Sequence, residues 1–353
     1  MRGLVLAGGT GSRLRPITFS MAKQLVPIAN KPIIEYGLED LAEAGVTTVG
    51  IVISPETGAA ISRAVERAAE RIGLDATFIL QDEPLGLAHA LKVALPFIDG
   101  DECLMYLGDN LVKSGVADVV RDFKEFQPSC QIMLSPVDNP SSFGVADLAE
   151  DGSIRRLIEK PEFPPSNLAL VGVYLFDDSI AEAVHAIKPS DRGELEITDA
   201  IQYLVETGRE VRASIVSGWW KDTGTRDDLL AAQHLVISEM AHENHGELVD
   251  TTVDGALHLG RGSTLRRCTV VGPAVIGDDV VIEDSIIGPE VSIGDRSRIS
   301  NAAVEHSIVI EGAVVNGWKI RSSIIGREAS LDGHAPPEFV TMMLGERSEI
   351  LRA

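Results

Sequence analysis

The hydrophobic pattern of the chain changes period once. Over the first 240 residues, short apolar runs alternate with stretches whose apolar positions recur every three or four residues. The runs predict strands over residues 4–7, 49–53, 77–80, 103–107 and 131–134; the amphipathic stretches predict helices over 33–44, 58–72, 87–95 and 114–126. Strands apolar on both faces and separated by helices point to an α/β domain, a mixed, mostly parallel sheet sandwiched by helices in a Rossmann-like layout. Ligands of such sheets lie beyond the carboxyl ends of the strands.

After about Gly246 a period of six takes over. Val253, Leu259, Leu265 and Val271 follow it, as do Ile287, Ile293 and Ile299, then Ile308, Val314 and Ile320, and finally Ile325 and Leu331. The segment GPAVIGDDVVI from Gly272 is echoed by GPEVSIGDRSRI from Gly288. Self-similarity of this kind predicts a left-handed parallel β-helix of hexapeptide repeats, with one apolar side chain on each flat face of a triangular coil. The expected domains are therefore 1–240 and 246–334, followed by a cap or tail over 335–353 for which a helix is one form.

Composition narrows the class. Of 353 residues, 44% are hydrophobic and 24% charged, which excludes disordered and collagen-like chains. No stretch free of Asp, Glu, Lys and Arg exceeds the fourteen residues of 163–176, and Pro164 and Pro165 interrupt that one. A membrane-spanning helix needs about twenty apolar residues. The apolar run after Met1 ends in glycines too soon for a secretory segment, so a cytoplasmic protein is expected. Cys103, Cys130 and Cys268 lie far apart with no C-x-x-C spacing and read as reduced core residues.

The 31 Lys and Arg against 53 Asp and Glu leave a formal charge of −22, which disfavours nucleic acid as a partner. Residues 1–34 go against this trend: they hold Arg2, Arg13, Arg15, Lys23 and Lys31 and no acidic residue, so the rest of the chain carries −22 − 5 = −27. Within that basic stretch, the first strand runs into Ala7-Gly8-Gly9-Thr10-Gly11-Ser12-Arg13. It is no Walker A loop, lacking Gly-Lys-Ser/Thr, and no dinucleotide fingerprint, because Leu14 stands where a glycine is needed. Glycines nonetheless expose backbone N–H groups as an anion nest, and Arg13 adds a fork that matches phosphate.

The segment from Leu6 to Thr18, with Lys23-Gln24-Leu25-x-Pro27 and Lys31-Pro32, resembles the signature of sugar-1-phosphate nucleotidylyltransferases. Gln81-x-x-Pro84-x-Gly86-Leu87-Ala88, Leu107-Gly108-Asp109-Asn110, Phe143-Gly144-Val145, Glu159-Lys160-Pro161, Glu196-Ile197-Thr198-Asp199 and Trp220-x-Asp222-Thr223-Gly224 follow in family order. The wording looks most like the thymidylyl-transferring branch in the long form that carries a β-helix. Ser12, where the family more often has Thr, keeps the hydroxyl.

The resemblance implies condensation of dTTP, with UTP tolerated, and glucose 1-phosphate to dTDP-glucose and pyrophosphate. It implies Arg13, Lys23 and Lys160 as catalytic cations. Leu6, Gly8, Gly9, Gly11, Ser12 and Arg13, with Gln81, Pro84 and Gly86, would bind the nucleotide. Gly144, Glu159, Lys160, Leu170 and Thr198 would bind the sugar phosphate. Asp109 and Asp222 would hold Mg²⁺, a hard cation suited to two carboxylates, phosphate oxygens and water. A carboxamide at Gln81 can pair with the N3–H and a carbonyl of thymine or uracil. The repeat half is expected to make a homo-oligomer, with a trimer as the form common in related proteins and a dimer or tetramer as open alternatives. Two other readings stay open: a uridylyltransferase, with acyl transfer at His258, His306 or His334, and a non-catalytic regulatory subunit.

Overall fold

The computed structural model describes residues 1–333 and 337–352. The chain divides into two compact units, one of residues 1–9 and 33–222, the other of residues 10–32 and those from 223 on.

The first unit runs β1 (Arg2–Leu6), α1 (Ile33–Glu43), β2 (Thr48–Ile53), α2 (Gly58–Ile72), β3 (Asp75–Leu80), α3 (Leu87–Ile98), β4 (Cys103–Leu107), β5 (Asn110–Val112) and α4 (Ala117–Phe126). It continues with β6 (Cys130–Pro136), β7 (Gly144–Leu148), β8 (Ile154–Glu159), β9 (Leu168–Phe176), α5 (Ile180–Ala186), α6 (Ile197–Glu206), β10 (Val211–Ile215) and β11 (Trp220–Asp222). The main sheet has the order β8-β7-β9-β4-β1-β2-β3, with β6 on β9 and β10 on β6. β3, β2, β1 and β4 are mutually parallel and β9 runs antiparallel to β4, so the sheet is mixed as the pattern predicts. Helices α1, α2 and α4 pack together, as do α3, α5 and α6. The sequence pattern shows why. Helix α2 buries Ile61, Ala64, Val65, Ala68 and Ala69 at helical spacing, and Leu4, Val5 and Leu6 of β1 are buried on both faces. Because β1 leads to β2 on one side while β4 lies on the other, the topological switch point falls between β1 and β4.

In the second unit, helix α7 (Arg226–Ile237) opens on a capping box, with the Thr225 hydroxyl accepting from the Asp228 amide and the Asp228 carboxylate accepting from the Thr225 amide. Parallel strands then wind into three sheets, the coil of a left-handed β-helix. Leu259, Leu265, Ile276, Ile282, Ile293 and Leu331 are fully buried inside it. The inward residues do not keep a strict period of six. Val271 and Val314, expected inside, are only half-buried, and their neighbours Val270 and Val315 fill the core. One step is a residue short: Leu265 to Val270, Ile282 to Ile287 and Ile299 to Val304 are each five apart, whereas Leu259 to Leu265 and Ile276 to Ile282 are six apart. Strands Met343–Leu344 and Glu349–Arg352 extend two of the sheets, so the closing segment is strand where a helical cap was one expectation. His334 lies outside the described residues.

Helix α7 packs on the outer face of one sheet. The Gln233 carboxamide accepts from Ser292 Oγ at 2.6 Å and donates to the Ser307 carbonyl at 3.0 Å. Residues 10–32 belong to the same unit. Ala29 packs with Ile237 and Val275, and Asn30 Nδ2 donates to the Ile293 carbonyl at 2.8 Å. The β-helix therefore supports the segment that carries Arg13 and Lys23. Of the histidines considered for acyl transfer, His306 Nδ1 is 2.9 Å from Glu290, and His258 Nδ1 is 3.5 Å from Glu243.

No described helix is long and apolar enough to cross a membrane. All three cysteines are free and buried, and burial pushes the Cys103 thiol up to about 12 and Cys130 well above its ordinary value. The thiolate is the reactive form. We therefore expect a thiol-specific disulfide reagent to titrate none of the three in the native protein and all three after denaturation; one promptly reacting native thiol would contradict this.

Candidate active site

The glycine loop leaves β1 at its carboxyl end, and Asp109 follows β4 at the neighbouring carboxyl end. Leu6 and Leu107 are register partners, and the Gly108 amide donates to the Leu6 carbonyl at 3.0 Å. Gln81, directly after β3, is buried, and its Oε1 lies 3.3 Å from the point a Cβ on Gly8 would occupy. Gly8, Asp109 and Gln81 are thus grouped beyond the carboxyl ends of the parallel strands, where α/β ligand sites form. Pro84 is exposed in the loop after Gln81, and Gly86 opens helix α3.

Asp109 and Asp222 are joined through Asn110. Strand β11 pairs antiparallel with β5, with Asp222 directly opposite Asn110, so those two side chains leave the ladder on one side. Trp220 Nε1 donates to Asn110 Oδ1 at 2.6 Å, and Asn110 Nδ2 donates to Asp109 Oδ1 at 2.9 Å. The buried Asn110 therefore fixes one oxygen of Asp109 and anchors the strand that ends in Asp222. No local signal in the sequence gives Asn110 this linking position. Among the described residues no three His, Cys, Asp or Glu gather as a metal cage. Two carboxylates are a donor chemistry that suits Mg²⁺, which keeps most of its shell as water and phosphate oxygen.

The second grouping holds the residues expected around the sugar. Glu159 is the register partner of Gly144, and Thr198 Oγ1 donates to Glu159 Oε2 at 3.3 Å. A Cβ on Gly144 would lie 2.7 Å from Thr198 Cγ2, 3.1 Å from Glu159 Oε2 and 3.7 Å from Leu170 Cδ1. Lys160 follows Glu159 at φ 40°, uncommon for a residue with a side chain, with Nζ 3.7 Å from Glu159 Oε1. Arg192, unmarked by any motif, reaches Glu159 at 3.5 Å and Glu196 at 3.3 Å.

Burial pushes the Glu159 carboxyl above the ordinary glutamate range and Glu196 adds to this, while Lys160, Arg192 and the Thr198 hydroxyl pull part of it back. A folded value above the unfolded one means that folding favours the protonated form. That stabilisation is complete below the unfolded value of about 4.3 and is lost as pH rises through the folded one. Glu159→Gln should thus gain thermal midpoint relative to the parent as pH rises from 4 to 7. A gain that shrinks over that range in differential scanning calorimetry would contradict the assignment.

In the second unit, Gly11 has φ 59°, and a Cβ there would stand 2.9 Å from Lys23 Cβ, so both conformation and space require glycine. Thr18 Oγ1 donates to the Gly11 carbonyl at 2.8 Å, and a 3₁₀ turn over Ser12–Leu14 follows. Ser12 and Arg13 are exposed, whereas Lys23 is buried, which is rare for lysine.

A helix-covered sheet with a glycine loop at its switch point, continued by a left-handed β-helix, defines an α/β ligand-binding protein with an appended hexapeptide-repeat coil. The chain belongs to the nucleotidyl transferase family, whose model matches residues 2–239. It is 44% identical to a glucose-1-phosphate thymidylyltransferase of Streptomyces antibioticus, over 99% of both chains. To that of Streptomyces griseus it is 46% identical, over 99% of this chain and 98% of the relative. Among solved structures, a candidate glucose-1-phosphate thymidylyltransferase from Bacillus anthracis, in complex with a sucrose, is similar at a TM-score of 0.64 and 33% identity. That likeness covers 69% of this chain and 98% of the other. A family of this kind handles a nucleotide and generally uses a divalent metal.

Proposed function

We propose that this chain transfers a thymidylyl group from dTTP to glucose 1-phosphate, forming dTDP-glucose for deoxysugar synthesis and releasing pyrophosphate. A phosphate oxygen of the sugar phosphate attacks the α-phosphorus. The new P–O bond forms as the bond to the β-phosphate oxygen breaks in line, and pyrophosphate leaves with that electron pair. No protein nucleophile is required, so the protein contributes alignment of two anions and neutralisation of growing charge. The observation that carries the reading is the grouping of Gly8, Asp109 and Gln81 at the carboxyl ends of β1, β4 and β3. The names of the two full-length relatives support it.

In this reading Leu6, Gly8, Gly9, Gly11 and Ser12 cradle the nucleotide, Arg13 and Lys23 meet triphosphate oxygens, and Gln81, Pro84 and Gly86 bound the base. Lys160 meets the phosphate of the sugar, and Gly144, Glu159, Leu170 and Thr198 bound its hydroxyls. Asp109 and Asp222 hold Mg²⁺, which when bound would neutralise phosphate charge. Residues 1–240 form the transfer domain and 246–334 the β-helix. We also propose a homo-oligomer built through that coil, because Ile286 is exposed and Val271 half-buried on the outer face of one of its sheets; a trimer is the first form to test, with a dimer and a tetramer as the alternatives. The buried free thiols support a reducing, cytoplasmic location.

The test is a pyrophosphate-release panel of dTTP, UTP, dCTP and ATP against glucose 1-phosphate and N-acetylglucosamine 1-phosphate. We expect dTTP with glucose 1-phosphate to lead and UTP to follow by about tenfold, since one methyl in an apolar pocket is worth roughly 1–3 kcal/mol. Silence across the panel would overturn the reading and favour a non-catalytic subunit.

A further inference from the structure

The orientation of the Gln81 carboxamide is set by two neighbours. Its Nε2 lies 2.9 Å from His89 Nδ1 and 3.5 Å from the Gly86 carbonyl oxygen. A carbonyl can only accept, so the edge of the amide turned toward Gly86 is the N–H edge. The same N–H edge meets His89 Nδ1, which accepts from it in the tautomer that carries the ring proton on Nε2. His89 is half-buried in the first turn of α3, and Gln81 is buried, so neither has free rotation in solvent. The remaining atom, Gln81 Oε1, is the one that points to Gly8.

We propose that His89 is a specificity-determining positioning residue: by accepting from Gln81 Nε2 it locks the carboxamide oxygen toward the side of Gly8, where a base must present a hydrogen-bond donor. Thymine and uracil carry a donor at N3, whereas cytosine carries a lone pair there and would meet Oε1 acceptor to acceptor. His89 touches no substrate itself. Its effect is to hold Gln81 in one of two amide orientations, and the wrong one would offer the base a donor in place of an acceptor. This inference rests on the proposed nucleotide reading and adds the device by which that site rejects a cytosine nucleotide.

The test uses the full chain and three proteins: the parent, His89→Leu and His89→Gln. The kcat/KM of dTTP and of dCTP is measured with glucose 1-phosphate, and nucleotide binding is measured by calorimetry. Leu cannot accept, so the amide gains its second orientation. The dTTP:dCTP ratio should fall by about tenfold or more, the scale of one oriented hydrogen bond. Gln offers a carboxamide oxygen to Gln81 Nε2 and should restore most of the ratio. KM for glucose 1-phosphate should stay unchanged in both variants. A ratio that His89→Leu leaves intact, or a loss shared equally by both nucleotides, would overturn the inference while leaving the function standing. A parent that binds dTTP no better than dCTP would overturn both.

Discussion

Asp222→Asn and Asp109→Asn should each lower turnover at saturating substrates by at least about a hundredfold, the scale seen when a group stabilising transition-state charge is removed. The substitution keeps shape and one accepting oxygen but removes the charge that a hard cation requires. The fold should survive. Asn at 109 still offers a carbonyl oxygen to Asn110 Nδ2, and the backbone pairing of β11 with β5 does not involve the Asp222 side chain. Steady-state pyrophosphate release at several Mg²⁺ concentrations checks the first expectation, and the thermal midpoint checks the second. Near-parent turnover in both variants would remove the metal assignment.

Gly86→Ala should be the most damaging single methyl near the candidate nucleotide site. Gly86 has φ 105°, and a Cβ there would lie 2.4 Å from the Leu195 carbonyl oxygen and 2.8 Å from its nitrogen. Backbone cannot rotate away as a long side chain can. Leu195 is moreover pinned on both sides, its amide donating to the Leu85 carbonyl at 2.7 Å and its carbonyl accepting from the Ala88 amide at 3.0 Å. Relief must shift the Gln81–Gly86 loop or the start of α3, and either moves the carboxamide. We expect a stability loss of about 3 kcal/mol, a midpoint lower by roughly 6–12 °C, and a KM for dTTP raised about tenfold or more. A variant with parent midpoint and parent KM would show that the loop does not need this close approach.

Much of this architecture could be read from the chain alone, for reasons visible in particular residues. The apolar run of β1 ending at Gly8 and the run of β4 ending just before Asp109 mark two strand ends by composition. Their adjacency follows only from the strand order, which no local pattern contains. The residues expected around a sugar, Gly144, Glu159, Leu170 and Thr198, come from four separate blocks and do meet. The antiparallel pairing of β7 with β8 that joins two of them could not be derived from periodicity. In the β-helix the repeat itself was evident, but its register was not. A shortened step moves Val270 and Val315 inside in place of Val271 and Val314, and no residue at that step, Arg267 or Asp284 among them, sets it apart in sequence from the longer ones. The links made by Asn110, Trp220, Arg192 and His89 were not legible, because a side-chain hydrogen bond between distant residues leaves no trace in spacing. Nor did any pattern indicate that residues 10–32 pack with α7 and the coil.

The central claim is that a pyrimidine nucleotide lies beyond the carboxyl ends of β1 and β4, its base on Gln81 and its phosphates near Asp109 and Asp222. A crystal structure of the chain with dTTP and Mg²⁺ tests it directly. The account predicts the thymine N3–H within hydrogen-bond distance of Gln81 Oε1, and carboxylate oxygens of Asp109 and Asp222 about 3–4 Å from phosphate oxygens, the separation of two oxygens on one octahedral Mg²⁺. A nucleotide seated elsewhere, or seated there with both carboxylates remote from every phosphorus, would contradict it.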